Sequence, residues 1–278
     1  MRFTKMRGMG NDYVYVNCFE EYVENPAELA VEMSKYHYGV GSDGLIMICP
    51  SEVADFEMKM YNADGSESEM CGNGIRCLAK YCHDRGLTDK ETFTVETDGG
   101  IKTLHLNLRD GVTESVRVDM GQPELDGEKI PSLMKGSPIT DCCLTANGND
   151  YRFTLVNMGN PHAITYVDDP DLSPVTVDGP VLESHSIFPQ KANIEFVQVI
   201  DRTHLKMRVW ERGTGETLAC GTGASAVLVA SVLNGLTERT AEIALPGGKL
   251  QLEWNPMDNH VYMTGPATFV YDGQWLRS

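Results

Sequence analysis

The 278 residues are 41% hydrophobic and 23% charged, which allows one large domain or two moderate ones with real cores and excludes a disordered chain. Against 40 acidic residues stand 23 basic ones; the formal net charge of −17, without any Lys/Arg cluster, excludes phosphate-backbone binding and so nucleic acid as a partner. The opening residues, Met1 to Gly8, lack the apolar core of a signal peptide, and no apolar run reaches the length of a membrane span, so the expectation is a cytoplasmic protein without a membrane partner.

A first strand reaches Gly8-Met9-Gly10-Asn11-Asp12, and Tyr13 to Val16 continue as a second. Asn25-Pro26-Ala27-Glu28 reads as N-cap, N1 proline and capping-box glutamate, and predicts a helix that runs to Tyr38 before Gly39. Strands follow over Leu45 to Cys49 and Asp55 to Tyr61, and then a helix that begins at Cys71 and stops at Gly86. Two strands flank Asp98-Gly99-Gly100. Further on, Ala224, Ala226, Val227, Leu228, Val229, Ala230, Val232 and Leu233 make a helix apolar nearly all round, stopped at Asn234-Gly235, that must be enclosed.

The two helices share an entrance. Glu69-Met70-Cys71-Gly72-Asn73-Gly74 recurs, altered, as Leu218-Ala219-Cys220-Gly221-Thr222-Gly223, with the cysteines 220 − 71 = 149 positions apart. At the same offset Gly10-Asn11 falls on Gly159-Asn160, Gly44-Leu45-Ile46 on Asn193-Ile194-Glu195, Met60-Tyr61-Asn62 on Val209-Trp210-Glu211, and Asp64-Gly65-Ser66 on Gly213-Thr214-Gly215. Gly99-Gly100 meets Gly247-Gly248 after one residue of adjustment. That run of matches predicts a duplicated mixed α/β unit. The expected fold is two pseudo-symmetric repeat domains, each a curved mixed sheet wrapped around a central helix, with the active site in the cleft between them. The expected boundaries are 1–118 plus 264–278 for the half carrying Cys71 and 119–263 for the half carrying Cys220, the last strand, about Ala267 to Trp275, returning to the first half.

A cysteine at a helix start faces free backbone N–H groups and the positive end of the helix dipole, which favour thiolate. Two such thiols on opposite sides of a carbon acid suit inversion of its stereocentre: one removes the proton, the other delivers one to the far face. The amides at Gly72-Asn73 and Gly221-Thr222 are donors suited to the charge that develops on the adjacent carboxylate. Cys18, Cys49, Cys77, Cys82, Cys142 and Cys143 read instead as small core hydrophobes, and the spacings lack the paired C-x2-C of a structural zinc site, so no metal is expected. A thiol redox protein and a non-catalytic carboxylate binder remain as alternatives.

Gly10-Asn11-Asp12, Asn62-Ala63-Asp64-Gly65-Ser66-Glu67, Cys71-Gly72-Asn73-Gly74-Ile75-Arg76-Cys77, Met158-Gly159-Asn160-Pro161-His162, Glu211 to Thr217 with Ala219 to Gly223, and Tyr262 to Pro266 together resemble the diaminopimelate epimerase family over nearly the whole chain. The resemblance implies a cofactor-independent epimerase, acting as a homodimer, that interconverts LL- and meso-2,6-diaminopimelate on the route to lysine and peptidoglycan. It implies that Cys71 and Cys220 are the acid/base thiols and that Asn11, Asn62, Gly72, Asn73, Asn160, Asn193, Glu211, Arg212, Gly221 and Thr222 bind substrate. It further implies that His162 and Glu211 tune the thiols and that Tyr271 lies at the dimer contact. Two positions depart from the family pattern: Gly44 stands where many relatives carry Gln, and Tyr36 where they often carry Arg. Racemases of the same architecture acting on proline, hydroxyproline, histidine or glutamate are the nearest alternative.

Overall fold

The first strands, β1 (Arg2–Gly8) and β2 (Asn11–Asn17), form an antiparallel hairpin turned at Met9-Gly10. The computed structural model describes residues 1–276, so positions 277 and 278, assigned above to the first half, lie outside the described residues. Two units emerge: Met1–Val118 with the segment from Thr264 onward, and Asp119–Met263.

In the first unit, helix α1 (Pro26–Ser34) carries the chain from β2 to β3 (Gly44–Cys49), which pairs parallel to β2. β4 (Phe56–Asn62) returns antiparallel to β3 and leads into α2 (Gly72–Asp84). After α2, β5 (Thr92–Glu96) runs parallel to β4, and β6 (Lys102–Arg109) and β7 (Val112–Asp119) continue antiparallel. Every residue of β3 is buried, because both sheet faces are covered. Leu29, Ala30 and Met33 of α1 pack on Val14, Val16, Leu45 and Met47 on one face. On the other face α2 packs against β1, β2 and β6, and the Tyr15 hydroxyl donates to the Gly74 carbonyl at 3.0 Å.

The second unit repeats this plan. β8 (Cys142–Ala146), β9 (Asn149–Asn157) and β10 (Pro161–Tyr166) are successive antiparallel strands. Helix α3 (Val175–Glu183) crosses to β11 (Asn193–Asp201), parallel to β10, and β12 (His204–Glu211) returns antiparallel. The short β13 (Gly215–Thr217) folds back on β12 before α4 (Gly221–Leu233). β14 (Thr240–Leu245) then pairs parallel to β12, and β15 (Gly248–Trp254) antiparallel to β14. Buried on all sides, α4 packs against β9, β10, β11, β14 and β15. β16 (Val261–Pro266) starts beside Met120 and Gly121, and β17 (Thr268–Gln274), which belongs to the first unit, pairs antiparallel with β1, the place that β8 takes beside β9 in the second.

Registers agree between the units at the 149-residue offset. Val14 faces Leu45 as Ala163 faces Ile194, and Leu45 faces Tyr61 as Ile194 faces Trp210. Phe56 faces Val95 as Leu205 faces Ile243, one residue short on the second strand.

Three expectations need correction. α1 ends at Ser34 rather than Tyr38, because the amides of Val40 and Gly41 both take the Met33 carbonyl and His37 turns left-handed at φ 69°. Asn25 makes no side-chain cap to that helix; its amide instead donates to the Glu28 carboxylate at 3.3 Å. Cys143 is exposed and Cys18 half-buried, not core: β8 alternates, and Cys143 occupies an outward position.

Candidate active site

Cys71 and Cys220 cap helices α2 and α4, each of 13 residues, with nearly the same extended backbone: φ −127° and ψ 118° at Cys71, φ −125° and ψ 111° at Cys220. Each sulfur accepts the amide of the third residue on, Gly74 N to Cys71 Sγ at 3.4 Å and Gly223 N to Cys220 Sγ at 3.4 Å. A sulfur in the N-cap role takes one of the helix's unpaired amides and sits at the positive end of its dipole. Gly10 and Gly159, both left-handed at φ 81° and 95°, turn the chain so that the next residue, Asn11 or Asn160, enters the neighbourhood of its own cysteine or histidine.

Around Cys71, the sulfur lies 3.2 Å from Asn11 Oδ1, and Asn11 Nδ2 donates to Asp43 Oδ2 at 2.7 Å. Asp43 also accepts the Asp12 amide, and Lys5 pairs with Asp12. Tyr13 is buried beside the sulfur; burial, reinforced by the Cys71 charge, pushes its hydroxyl far above the ordinary phenol range. Asn73, in the first turn of α2, accepts from the guanidinium of fully buried Arg76 at 2.7 Å. Asn62 donates to Ser66 Oγ at 3.0 Å within its own turn.

Around Cys220 the setting is acidic. The sulfur lies 3.5 Å from Thr222 Oγ1, and burial, then Glu211 and Glu195, push its thiol well above the usual range. Glu195 and His162 are both fully buried, with His162 Nδ1 2.6 Å from Glu195 Oε1 and His162 Nε2 2.8 Å from Asn160 Oδ1. Burial raises the Glu195 carboxyl, and His162 opposes that rise. Glu211 is raised mainly by burial and accepts from the Thr217 hydroxyl. Asn193 ties the strand ends together: its Nδ2 donates to the Pro161 carbonyl at 2.8 Å, and its Oδ1 accepts the Arg212 amide at 2.9 Å. The Arg212 side chain is exposed and donates to the Gln190 carbonyl at 3.3 Å.

Within their units, then, the residues expected from the sequence gather in part. Asn11, Gly72 and Asn73 stand with Cys71; Asn160, His162, Asn193, Glu211, Arg212, Gly221 and Thr222 stand on the strand ends and helix start that carry Cys220. Tyr271, 46% exposed on β17, stacks edge-on against Phe3 at 6.1 Å and pairs in register with Lys5. Gly44 opens β3 opposite Asn62, where the Tyr61 carbonyl leaves no room for a Cβ. Sequence reasoning missed Glu195, Tyr13 and Arg76. A lone carboxylate within Ile194-Glu195-Phe196-Val197 was the available signal, since a charge in a fully buried strand demands a partner.

Comparison with known proteins extends over the whole chain. The family profile described as Diaminopimelate epimerase matches residues 3–125 and 154–270. A protein named diaminopimelate epimerase from Acetivibrio thermocellus is 57% identical over 99% of this chain and 98% of its own length, and one from Methanococcus maripaludis is 54% identical over 99% of both. Among solved structures, a phenazine biosynthesis protein of the PhzF family from Bacillus anthracis superposes with a TM-score of 0.72 at 18% identity, covering 100% of this chain and 99% of that one. A hydroxyproline epimerase from Agrobacterium vitis gives 0.69 at 13% identity, covering 98% and 91%; at such identities these two likenesses speak for the fold alone. The profile and the close relatives together place the chain in the diaminopimelate epimerase family.

Proposed function

We infer that the chain is a two-thiol epimerase that inverts one α-carbon of 2,6-diaminopimelate, interconverting the LL and meso forms without a cofactor. The reading is carried by one observation: a member of this family holds two cysteines in matching helix N-caps, each in a different polar setting. In the reaction one thiolate takes the α-hydrogen as a proton and becomes a thiol. The electron pair left behind spreads into the carboxylate, where the first-turn amides at Gly72-Asn73 and Gly221-Thr222 face the growing negative charge. The other thiol gives its proton to the opposite face and becomes the thiolate, so the enzyme ends with the same total charge. Residues 1–118 with 264–278 supply Cys71 to this chemistry and 119–263 supply Cys220. Asn11, Asn62, Asn160, Asn193 and Glu211 line the substrate's polar groups, while Arg212 takes the distal carboxylate through its planar fork.

The same reading makes the protein a cytoplasmic homodimer on the route to lysine and peptidoglycan, with β17, which exposes Val270 and Tyr271, at the contact. Solvent deuterium wash-in at the α-carbon tests the activity. LL-diaminopimelate should take up label and L-proline and L-histidine should not, and Cys71→Ala and Cys220→Ala should each abolish inversion. Uptake with none of the three amino acids, or wild-type turnover in either variant, overturns the proposal.

A further inference from the structure

The register that matches the two cysteines also matches the side chains beneath them, and there the likeness stops. At the 149-residue offset Tyr13 answers to His162, Ile46 to Glu195, Asn62 to Glu211 and Arg76 to Ser225. The backbone positions are equivalent: Ile46 faces Met60 on β4 as Glu195 faces Val209 on β12. A Cβ on Gly74 would touch Ile46 Cδ1 at 2.5 Å, and one on Gly223 would touch Glu195 Oε1 at 2.8 Å. Arg76 NH1 and Ser225 Oγ donate to the equivalent carbonyls of Gly72 and Gly221, each at 2.9 Å.

A buried guanidinium thus underlies one sulfur, and a buried carboxyl paired with His162 underlies the other, at two otherwise matched positions. Arg76 is fully buried on α2, held by Gly72 O at 2.9 Å, Asn73 Oδ1 at 2.7 Å and Pro266 O at 3.3 Å, within electrostatic reach of Cys71. Also near Cys71 are Tyr13 and Tyr15 on β2 and Cys77 on α2, with Asn11 Oδ1 3.2 Å from the sulfur and Asp43 behind Asn11. Beneath Cys220 lies Glu195 on β11, fully buried; His162 on β10 takes up Oε1, and Oε2 has no hydrogen-bond partner among the described residues. Glu211 on β12 adds a second carboxyl. A buried cation favours a neighbouring thiolate, and a buried carboxylate disfavours one.

We propose that Arg76 and Glu195 are positioning residues that assign the resting charges of the pair, Arg76 holding Cys71 as the thiolate and Glu195 holding Cys220 as the thiol. Its consequence for turnover rests on the two-thiol reading: the resting enzyme is poised for the stereoisomer whose α-hydrogen faces Cys71, taking that proton at Cys71 and delivering one from Cys220.

The test is a 13C titration of the full chain labelled at cysteine Cβ, without substrate, with the two resonances assigned from Cys71→Ser and Cys220→Ser. Cys71 should titrate at lower pH than Cys220, and Glu195→Gln, nearly isosteric, should lower the Cys220 midpoint by about one pH unit while leaving Cys71 in place. A purely structural Glu195 would leave that midpoint where it was. Cys220 titrating first, both titrating together, or an unmoved Cys220 in Glu195→Gln overturns the proposal; should the variant fail to fold, the wild-type order decides alone. Because no substrate is present, the result stands apart from the wash-in assay that tests the activity itself.

Discussion

Gly223 stands so close to Glu195 that a methyl group on it would sit 2.8 Å from the carboxylate oxygen Oε1 and 3.2 Å from Cys220 Sγ. The first turn of α4 is therefore packed closely against both the Glu195 carboxylate and the Cys220 sulfur.

Gly223→Ala should for that reason cost turnover rather than folding. Alanine favours a helix over glycine by about 1 kcal/mol, which offsets part of the crowding, and the carboxylate is the movable end of a side chain. The displaced sulfur should lower kcat about tenfold or more, since small misplacements of a reacting group are costly. Steady-state kinetics beside a thermal unfolding curve separate the two effects; unaltered turnover would show that the contact does not hold the sulfur.

His162 and Glu195 form a wholly buried pair, so removing one member strands the other. His162→Leu or Glu195→Leu alone should destabilise the chain by about 3–5 kcal/mol, whereas the double substitution should recover much of that loss. Urea unfolding of the three variants measures it, and a double variant as unstable as the sum of the singles would contradict the pairing.

Glu183 gives a pH dependence of definite sign. Burial works to raise its carboxyl, but donors from Trp210 Nε1 at 2.8 Å, Gly213 N at 2.9 Å and Lys191 Nζ at 3.1 Å outweigh it and hold it below the ordinary carboxylate value. A carboxyl with a lowered folded-state pKa contributes fully above its unfolded value and loses that contribution as pH falls through the folded one. Glu183→Gln should be less stable than wild type by about 1.5–3 kcal/mol at neutral pH, and the difference should shrink as the solution is acidified below the normal carboxylate range. Unfolding midpoints across that range check it, and a constant difference would refute it.

Tyr271 is half exposed beside exposed Val270 on β17, the surface assigned to the dimer. Tyr271→Asp should shift the chain in sedimentation from twice its 30.7 kDa toward the single-chain mass. A wild-type protein that sediments as a monomer would remove that assignment.

Much of the architecture was readable because the chain states it twice. The 149-residue offset is marked by glycines, asparagines, two cysteines and matching apolar strand positions, and strand registers follow it because each strand buries a fixed set of side chains, so a slip by one residue would turn them outward. Helix α3 left no such trace: Gly179 and Pro180 are poor helix formers, and the segment is helical because Val175 and Leu182 are buried in a core with Phe188 and Phe196. The end of α1 was misread for a related reason, since backbone donors from Val40 and Gly41, not local propensity, close the helix at the Met33 carbonyl.

What the sequence determined by itself was the pair of N-cap thiols, the duplication and the family, because glycine, cysteine and turn chemistry are local and survive without coordinates. What the tertiary structure decided was the environment of each sulfur. Glu195 reaches Cys220 only through strand pairing and helix packing, and Arg76, on the helix that Cys71 caps, is enclosed only by the packing around that helix; a buried charge acts through distance and lost water, neither of which is written along the chain.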